Sequence, residues 1–224
     1  AVALSVSEAG GPGASASYVR LIERLEDIGG FDRRTEGLAD GETLLRRAAD
    51  GQGLTRPELA VLLSSAKLAL QDALEASALV DDPVNEPLLI ARFPTAMRKT
   101  YAAEIRGHRL RREMIATSLA NRMVNRLGMV HPFELAEEEG VGLAEVAGAF
   151  VVAERLFGLD ALWRELDAAA IPEAARLVLF DRLAAAVGNL MSDVLRTAAG
   201  KVEAGAMIAE LEKGVIRQVG GRFR

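Results

Sequence analysis

Leu54-Thr55-Arg56-Pro57-Glu58-Leu59 decides the fold. Thr55 can accept from the first turn of a helix while Glu58 reaches back to the threonine amide, a capping box. Leu54 and Leu59 flank it where a hydrophobic staple is needed. Pro57 falls in the first turn, where its missing N–H costs little. The run that follows places Leu59, Leu62, Leu63, Ala66 and Leu70 at helical spacing, which predicts a long helix from Arg56 to about Ser77.

The same signals recur downstream. Asp81-Asp82-Pro83 breaks the chain, and residues 85–93 read as a short helix closed by Pro94. Thr95 to Leu127 reads as helical with a kink at Gly107. In its second half Ala116, Leu119, Ala120, Met123, Val124 and Leu127 cover a wide arc, while Arg111, Ser118, Arg122 and Asn125 share a narrower polar strip. A helix apolar over so much of its circumference is expected to be central in its domain. Gly128 supplies the stop. Further helices are expected from His131-Pro132 to Glu139, from Leu143 to Phe157, from Leu159 to Asp167, and from Pro172 towards Ala199. The tail from Gly200 has a weak helical pattern around Met207, Ile208 and Leu211.

Upstream, Gly10, Gly11, Pro12 and Gly13 are loop signals. Ser17 is the expected cap of a helix carrying Leu21, Ile22, Leu25 and Ile28, ended by Gly29 and Gly30. A short helix is expected from Gly41 to Ala49. No alternating apolar–polar run is long enough for a strand. The expectation is an all-α fold, a multi-helix bundle-like array without a significant β-sheet. It divides into an N-terminal segment (1–53) packed on the main body, a main helical domain (54–199), and a weakly helical or disordered tail (200–224).

Composition agrees with that class. The chain has 224 residues, 50% apolar but only 4% aromatic, rich in Ala and Leu, the residues of highest helix propensity. A chain of this length buries roughly 70% of its unfolded surface. The net charge of −5 disfavours nucleic acid as a partner of the whole chain, because such affinity rests on phosphate neutralisation. With no cysteine and only His108 and His131, thiolate and multi-histidine metal sites are not expected. No apolar run approaches the roughly 20 residues of a membrane helix. The start lacks the features of a signal peptide, so a cytoplasmic location is expected. The first residue is Ala rather than Met, which points to a fragment or a processed chain.

The residues able to carry chemistry mostly have plainer readings. Gly140-Val141-Gly142 follows three glutamates rather than a strand, and Glu145 stands where a dinucleotide-binding turn needs its third glycine. It reads as a loop between helices. Lys67, Lys99, Lys201 and Lys213 stand in no phosphate-binding glycine loop. Lys213 reads as solvated, and His131 as a hydrogen-bonded structural residue at a helix entrance. Glu137, Glu138 and Glu139 point in different directions on a helix and do not converge on one ion. No catalytic, cofactor-binding or metal-binding residue is therefore assigned.

The basic run Arg106-Gly107-His108-Arg109-Leu110-Arg111-Arg112 is the exception. It can meet phosphate, nucleic acid or an acidic surface. No aromatic interrupts it, as stacking on single strands requires. On a continuous helix Arg109 and Arg112 face the apolar arc, and Glu113 can pair with Arg109 at i,i+4. Arg109, Arg112, Glu113, Asn121 and Asn125 are the candidate interface or effector contacts.

Several long motifs resemble one family. Gly53-Leu54-Thr55-Arg56-Pro57-Glu58-Leu59-Ala60-Val61-Leu62-Leu63 with Ala66-Lys67 is similar to a segment of the large bacterial NAD-specific glutamate dehydrogenases. So is His108-Arg109-Leu110-Arg111-Arg112-Glu113-Met114-Ile115-Ala116-Thr117 with Leu119-Ala120-Asn121, followed by Val124-Asn125-Arg126-Leu127-Gly128. Phe93-Pro94, Glu138-Glu139-Gly140, Phe157-Gly158-Leu159 and Ala161-Leu162-Trp163 stand at the expected intervals. The resemblance runs from about Leu4 to Leu195. Ser65 departs from it where the family often has an aromatic, and the Asp167–Pro172 stretch matches only at its acidic residue and proline.

The resemblance implies the helical C-terminal part of an enzyme that oxidises L-glutamate to 2-oxoglutarate and ammonia while reducing NAD. The catalytic core lies earlier in that polypeptide, so NAD serves the parent enzyme and this chain binds none. The implied partners are the catalytic domain of the same polypeptide and, in the full enzyme, further copies. Three roles compete: a structural and assembly module, a regulatory module holding a small effector, and an independent helical module binding an acidic partner, effector or nucleic acid through residues 106–112. A polar pocket lined by Arg109, Arg112, Asn121 or Asn125 is the mark of the second.

Overall fold

The computed structural model describes the backbone of residues 2–220 and the side chains of residues 4–213. Thus residues 221–224 of the expected tail lie outside the described residues. In chain order the α-helices are α1 (Val2–Ala9), α2 (Ser15–Ile28), α3 (Gly41–Ala49), α4 (Arg56–Glu75), α5 (Glu86–Ala91), α6 (Thr95–Thr100), α7 (Ala102–Arg106), α8 (Arg111–Leu127), α9 (His131–Glu138), α10 (Leu143–Phe157), α11 (Leu159–Ala168), α12 (Glu173–Thr197) and α13 (Ala204–Gly220). Short 3₁₀ turns occupy Gly11–Ala14, Ala78–Asp81 and Pro83–Asn85. Among the described residues there is no strand, so the fold is all-α.

Several helices begin or end for a local reason. Thr55 and Glu58 form the full capping box at the start of α4. Asp40 caps α3 by accepting from the Thr43 amide at 2.7 Å. Gly128 leaves α8 at φ +83°, a backbone conformation that a β-carbon disfavours. Leu62, Ala66, Leu70 and Leu74 of α4 are fully buried, and α4 packs along α8. The apolar arc of α8 (Ala116, Leu119, Ala120, Met123, Val124 and Leu127) is buried throughout.

The most enclosed element is α10, buried without interruption from Val146 to Glu154. It touches α4, α8, α9, α11, α12 and α13. Its small residues explain how so many neighbours fit: a β-carbon at Gly148 would stand 3.0 Å from the Val202 side chain. Tyr18, Leu21, Ile22 and Leu25 of α2 and Ala204 and Ile208 of α13 belong to the same buried cluster as α4, α8 and α10.

Four local expectations differ from the structure. The glycine-rich start is preceded by α1, which the sequence reading did not foresee. The helix α2 starts at Ser15, directly from the 3₁₀ turn, so it needs no side-chain cap. Ser17 instead donates to Glu134 Oε1 of α9 at 2.9 Å. Ile28, at the open end of α2, is exposed rather than inward. The segment Thr95–Leu127 is broken, not kinked: Tyr101 separates α6 from α7, and residues 107–110 are non-helical. There the Leu110 amide donates to Nδ1 of His108 at 3.2 Å, outside any helical ladder.

Candidate functional site

The break at 107–110 determines where the basic run points. Arg109 lies before α8 and is exposed, so the i,i+4 pair with Glu113 does not form. Arg112, in the first turn of α8, turns back onto the end of α4. Its Nη2 donates to the Glu75 carbonyl at 2.6 Å and the Ser77 carbonyl at 2.9 Å. Its Nη1 donates to Asp81, which also holds Arg111 at 3.0 Å. A guanidinium on the last carbonyls of a helix meets the negative end of its dipole, and here it fixes α8 to α4. Asp81 and those carbonyls all belong to this chain.

The other expected residues do not converge with it. Asn121 donates to the Thr117 carbonyl of its own helix at 2.8 Å. Asn125 accepts from Lys67 Nζ at 3.2 Å. The Glu113 side chain makes no ion pair with another described residue. A cleft of about 930 Å³ lies between α13 and the 78–84 turns. Another of about 570 Å³ lies at the Gly140–Gly142 loop, and a third of about 400 Å³ lies between α5, α8, α10 and α11. None of these is lined by Arg109, Arg112, Asn121 or Asn125.

The third cleft contains the charged centre that sequence reasoning missed. Arg122, placed above on the polar strip of α8, reaches Glu154 of α10 at 2.7 Å and Asp160 of α11 at 3.0 Å. Arg164 holds the other oxygen of Asp160 at 3.0 Å. The Glu154 side chain is only 9% exposed. Burial pushes its carboxyl above the ordinary range, and Arg122 acts in the opposite direction. One turn further along α8, Arg126 pairs with Asp167 at 2.9 Å and stands 5.2 Å above the ring of buried Trp163. The sequence did carry a signal: Glu154 ends an otherwise apolar run from Val146 to Ala153, and a buried carboxylate requires a partner. A perturbed carboxyl in a cleft can serve as a proton carrier. Here both partners of Arg122 are carboxylates of neighbouring helices, so the geometry describes a three-helix clamp.

At the Gly140–Gly142 loop, Glu139 holds Arg196 of α12 at 2.6 Å and also accepts from Ser192. The loop joins α9 to α10. At the first cleft, Asp82 accepts from the Val84 amide at 3.0 Å and the Gly205 amide at 2.8 Å. It thereby caps the start of α13 from a turn remote in sequence. His131 is half-buried, and its Nε2, shielded from water, has no hydrogen-bond partner. It abuts Gly188 of α12 so closely that a β-carbon there would stand 2.2 Å from Nε2. The expected hydrogen-bonded role is thus replaced by packing. Among the described residues no group of three or more His, Asp or Glu side chains is placed to hold a metal ion. No helix of these residues is long and apolar enough to cross a membrane.

The same span is recognisable by comparison. Residues 51–221 match the family described as glutamate dehydrogenase, C-terminal. The chain is 40% identical over 151 residues to the NAD-specific glutamate dehydrogenase of Halomonas elongata, covering 67% of this chain and 9% of that protein. It is 38% identical over 166 residues to the enzyme of the same name from Mycobacterium tuberculosis, covering 74% of this chain and 10% of that protein. With the NAD-specific glutamate dehydrogenase of Pseudomonas aeruginosa it shares 36% identity over 183 residues, covering 81% of this chain and 11% of that protein. The chain thus spans about a tenth of the length of these relatives, and with residues 51–221 matched it belongs to the glutamate dehydrogenase C-terminal family.

Proposed function

We propose that this chain is the C-terminal helical module of an NAD-dependent glutamate dehydrogenase. The parent enzyme converts L-glutamate, NAD and water to 2-oxoglutarate, ammonia and NADH. The chemistry and the NAD belong to a catalytic domain elsewhere in the same polypeptide, and the enzyme works in the cytoplasm as a homo-oligomer. Within it this module is a structural and assembly element.

One observation carries the structural reading: its charged side chains join helices to one another. Arg122 joins α8 to α10 and α11, Arg112 joins α8 to the end of α4, and Glu139 joins the α9 end to α12. Of these groups Glu154 is buried, and a satisfied polar network around a buried charge rigidifies a scaffold. Isothermal calorimetry of this chain with NAD, and an assay of glutamate-dependent NAD reduction with this chain and with the full polypeptide, test the reading. The full polypeptide is expected to be active and the chain inert. Stoichiometric NAD binding by the chain alone overturns it.

A further inference from the structure

The α6–α7 arm is largely exposed. From Ala91 to Leu110 only Ile105 is buried. Yet the arm is held in place. Arg98 donates to the carbonyls of Phe93 at 2.8 Å and Ala91 at 3.2 Å, Arg106 pairs with Glu86 at 2.8 Å, and His108 packs edge-on against Phe93.

This fixed arm exposes two kinds of surface that ordinarily seek a partner. Met97 is 39%, Tyr101 48% and Leu110 42% exposed. Residues 92–112 carry seven lysines and arginines against Glu104 alone, so the rest of the chain sums to −11 and the whole to −5. Four of the seven are already engaged: Arg98 with carbonyls, Arg106 with Glu86, and Arg111 and Arg112 with Asp81. The side chains of Arg92, Lys99 and Arg109 make no ion pair or hydrogen bond with another described residue. An apolar set of Met, Tyr and Leu among free cations has the composition of a protein-docking surface, in which Met, Tyr and Arg are enriched.

We propose that the α6–α7 arm docks onto an acidic, apolar-centred protein surface in the remainder of the parent polypeptide. The occupant would bring carboxylates to Arg92, Lys99 and Arg109 and apolar side chains to Met97, Tyr101 and Leu110. This rests on the reading of the chain as a module of a larger enzyme. The relatives are about ten times longer than the matched span, so most of such a polypeptide is available to cover the arm. Nucleic acid fits less well: Met97 and Leu110 find nothing apolar to bury against on phosphates, and Tyr101 alone makes no run of stacked bases. Because the arm is already ordered, little conformational entropy is lost on docking.

Hydrogen–deuterium exchange of residues 92–110, in this chain and in the full polypeptide, tests the proposal. Amides there are expected to exchange at least about tenfold more slowly in the full polypeptide, since docking restricts local opening. Lys99→Glu with Arg109→Glu in the full polypeptide is expected to restore fast exchange while the α8 amides stay protected, which separates lost docking from lost folding. Equal exchange in both proteins overturns the proposal. So does protection that appears in the chain alone as its concentration rises, which would assign the arm to a second copy. Protection that vanishes on nuclease treatment would assign it to nucleic acid and also overturns it. If the full polypeptide protects the arm but shows no glutamate dehydrogenase activity, the docking stands and the enzymatic reading falls.

Discussion

Arg122 of α8 holds Glu154 of α10 at 2.7 Å, and the carboxylate is nearly out of water while the guanidinium is only half buried. The two ends of this pair therefore respond differently to removal. Arg122→Met leaves a buried carboxylate without its cation, and is expected to cost about 2–3 kcal/mol, below the full range for a buried pair because Arg122 retains some solvent. Arg122→Met with Glu154→Leu is expected to recover most of that loss. Chemical denaturation of the native chain and the two variants checks it; a double variant as unstable as Arg122→Met alone contradicts the clamp. The single variant should also respond to pH. Burial raises the folded Glu154 carboxyl above its unfolded value, so ionisation there opposes folding. The deficit of Arg122→Met is expected to shrink as pH falls towards the unfolded glutamate value of about 4.3.

His131 shifts in the opposite sense. Burial lowers its folded value, with Glu134 and Glu138 opposing. Unfolded histidine protonates near pH 6.5, so below that pH the unfolded state binds the proton that the folded state resists. Stability is present above about 6.5 and is lost as pH falls from there towards the depressed folded value. The stability difference between the native chain and His131→Leu is expected to move against the native chain between pH 7 and pH 5.5. A difference independent of pH would mean that the half-buried ring does not resist protonation.

Gly188 and His131 are also coupled by volume. Gly188→Ala puts a methyl 2.2 Å from Nε2 of a rigid ring, and overpacking of this kind is expected to cost about 1–3 kcal/mol. His131→Ala opens that space, so the two changes together are expected to be less destabilising than their sum. Strict additivity in thermal melts would show that α12 simply moves away from α9.

Much of the fold was legible because it is written locally. Thr55-Arg56-Pro57-Glu58 names its own helix start, and Gly128 and Gly158 name helix ends. The charged centre was harder, because Arg122, Glu154 and Asp160 meet only when three helices pack. On one helical wheel Arg122 is indistinguishable from a solvated strip residue. Arg109 misled for the converse reason: its wheel position assumed a helix that stops at Gly107, where the backbone leaves the ladder before α8 begins. Arg112, in the first turn of α8 after that break, was legible only in its need for carboxylates or carbonyls, and it finds both. The cap that Asp82 gives α13 joins residues 123 apart, beyond the reach of any local signal.

The box at the start of α4 has unequal halves, and this decides its last test. Glu58 Oε2 accepts from the Thr55 amide at 2.7 Å and from the Thr55 hydroxyl at 2.8 Å. The return bond from the Glu58 amide to Thr55 Oγ1 is long, 3.5 Å. Glu58 also ties α3 to α4 by accepting from Arg47 at 2.9 Å. Thr55→Ala is therefore expected to cost about 1 kcal/mol, the ordinary value of an N-cap hydroxyl. Glu58→Ala should cost more, because it removes the N-cap bond and the α3 tie together. Glu58→Gln separates them: an amide oxygen can still accept from Thr55 but brings no charge to Arg47. Burial raises the Glu58 carboxyl, but the Thr55 bonds and Arg47 together outweigh it and leave it below the usual range. A carboxylate lowered in the folded state supports stability above its unfolded value and loses that support as pH falls through the folded value. Acid destabilisation below about pH 4.3 is thus expected to be shallower in Glu58→Gln than in the native chain. In a double-mutant cycle Thr55→Ala and Glu58→Ala should cost less together than the sum of the two. Additivity in that cycle, with an unchanged acid limb in Glu58→Gln, would reduce the box to two independent surface residues.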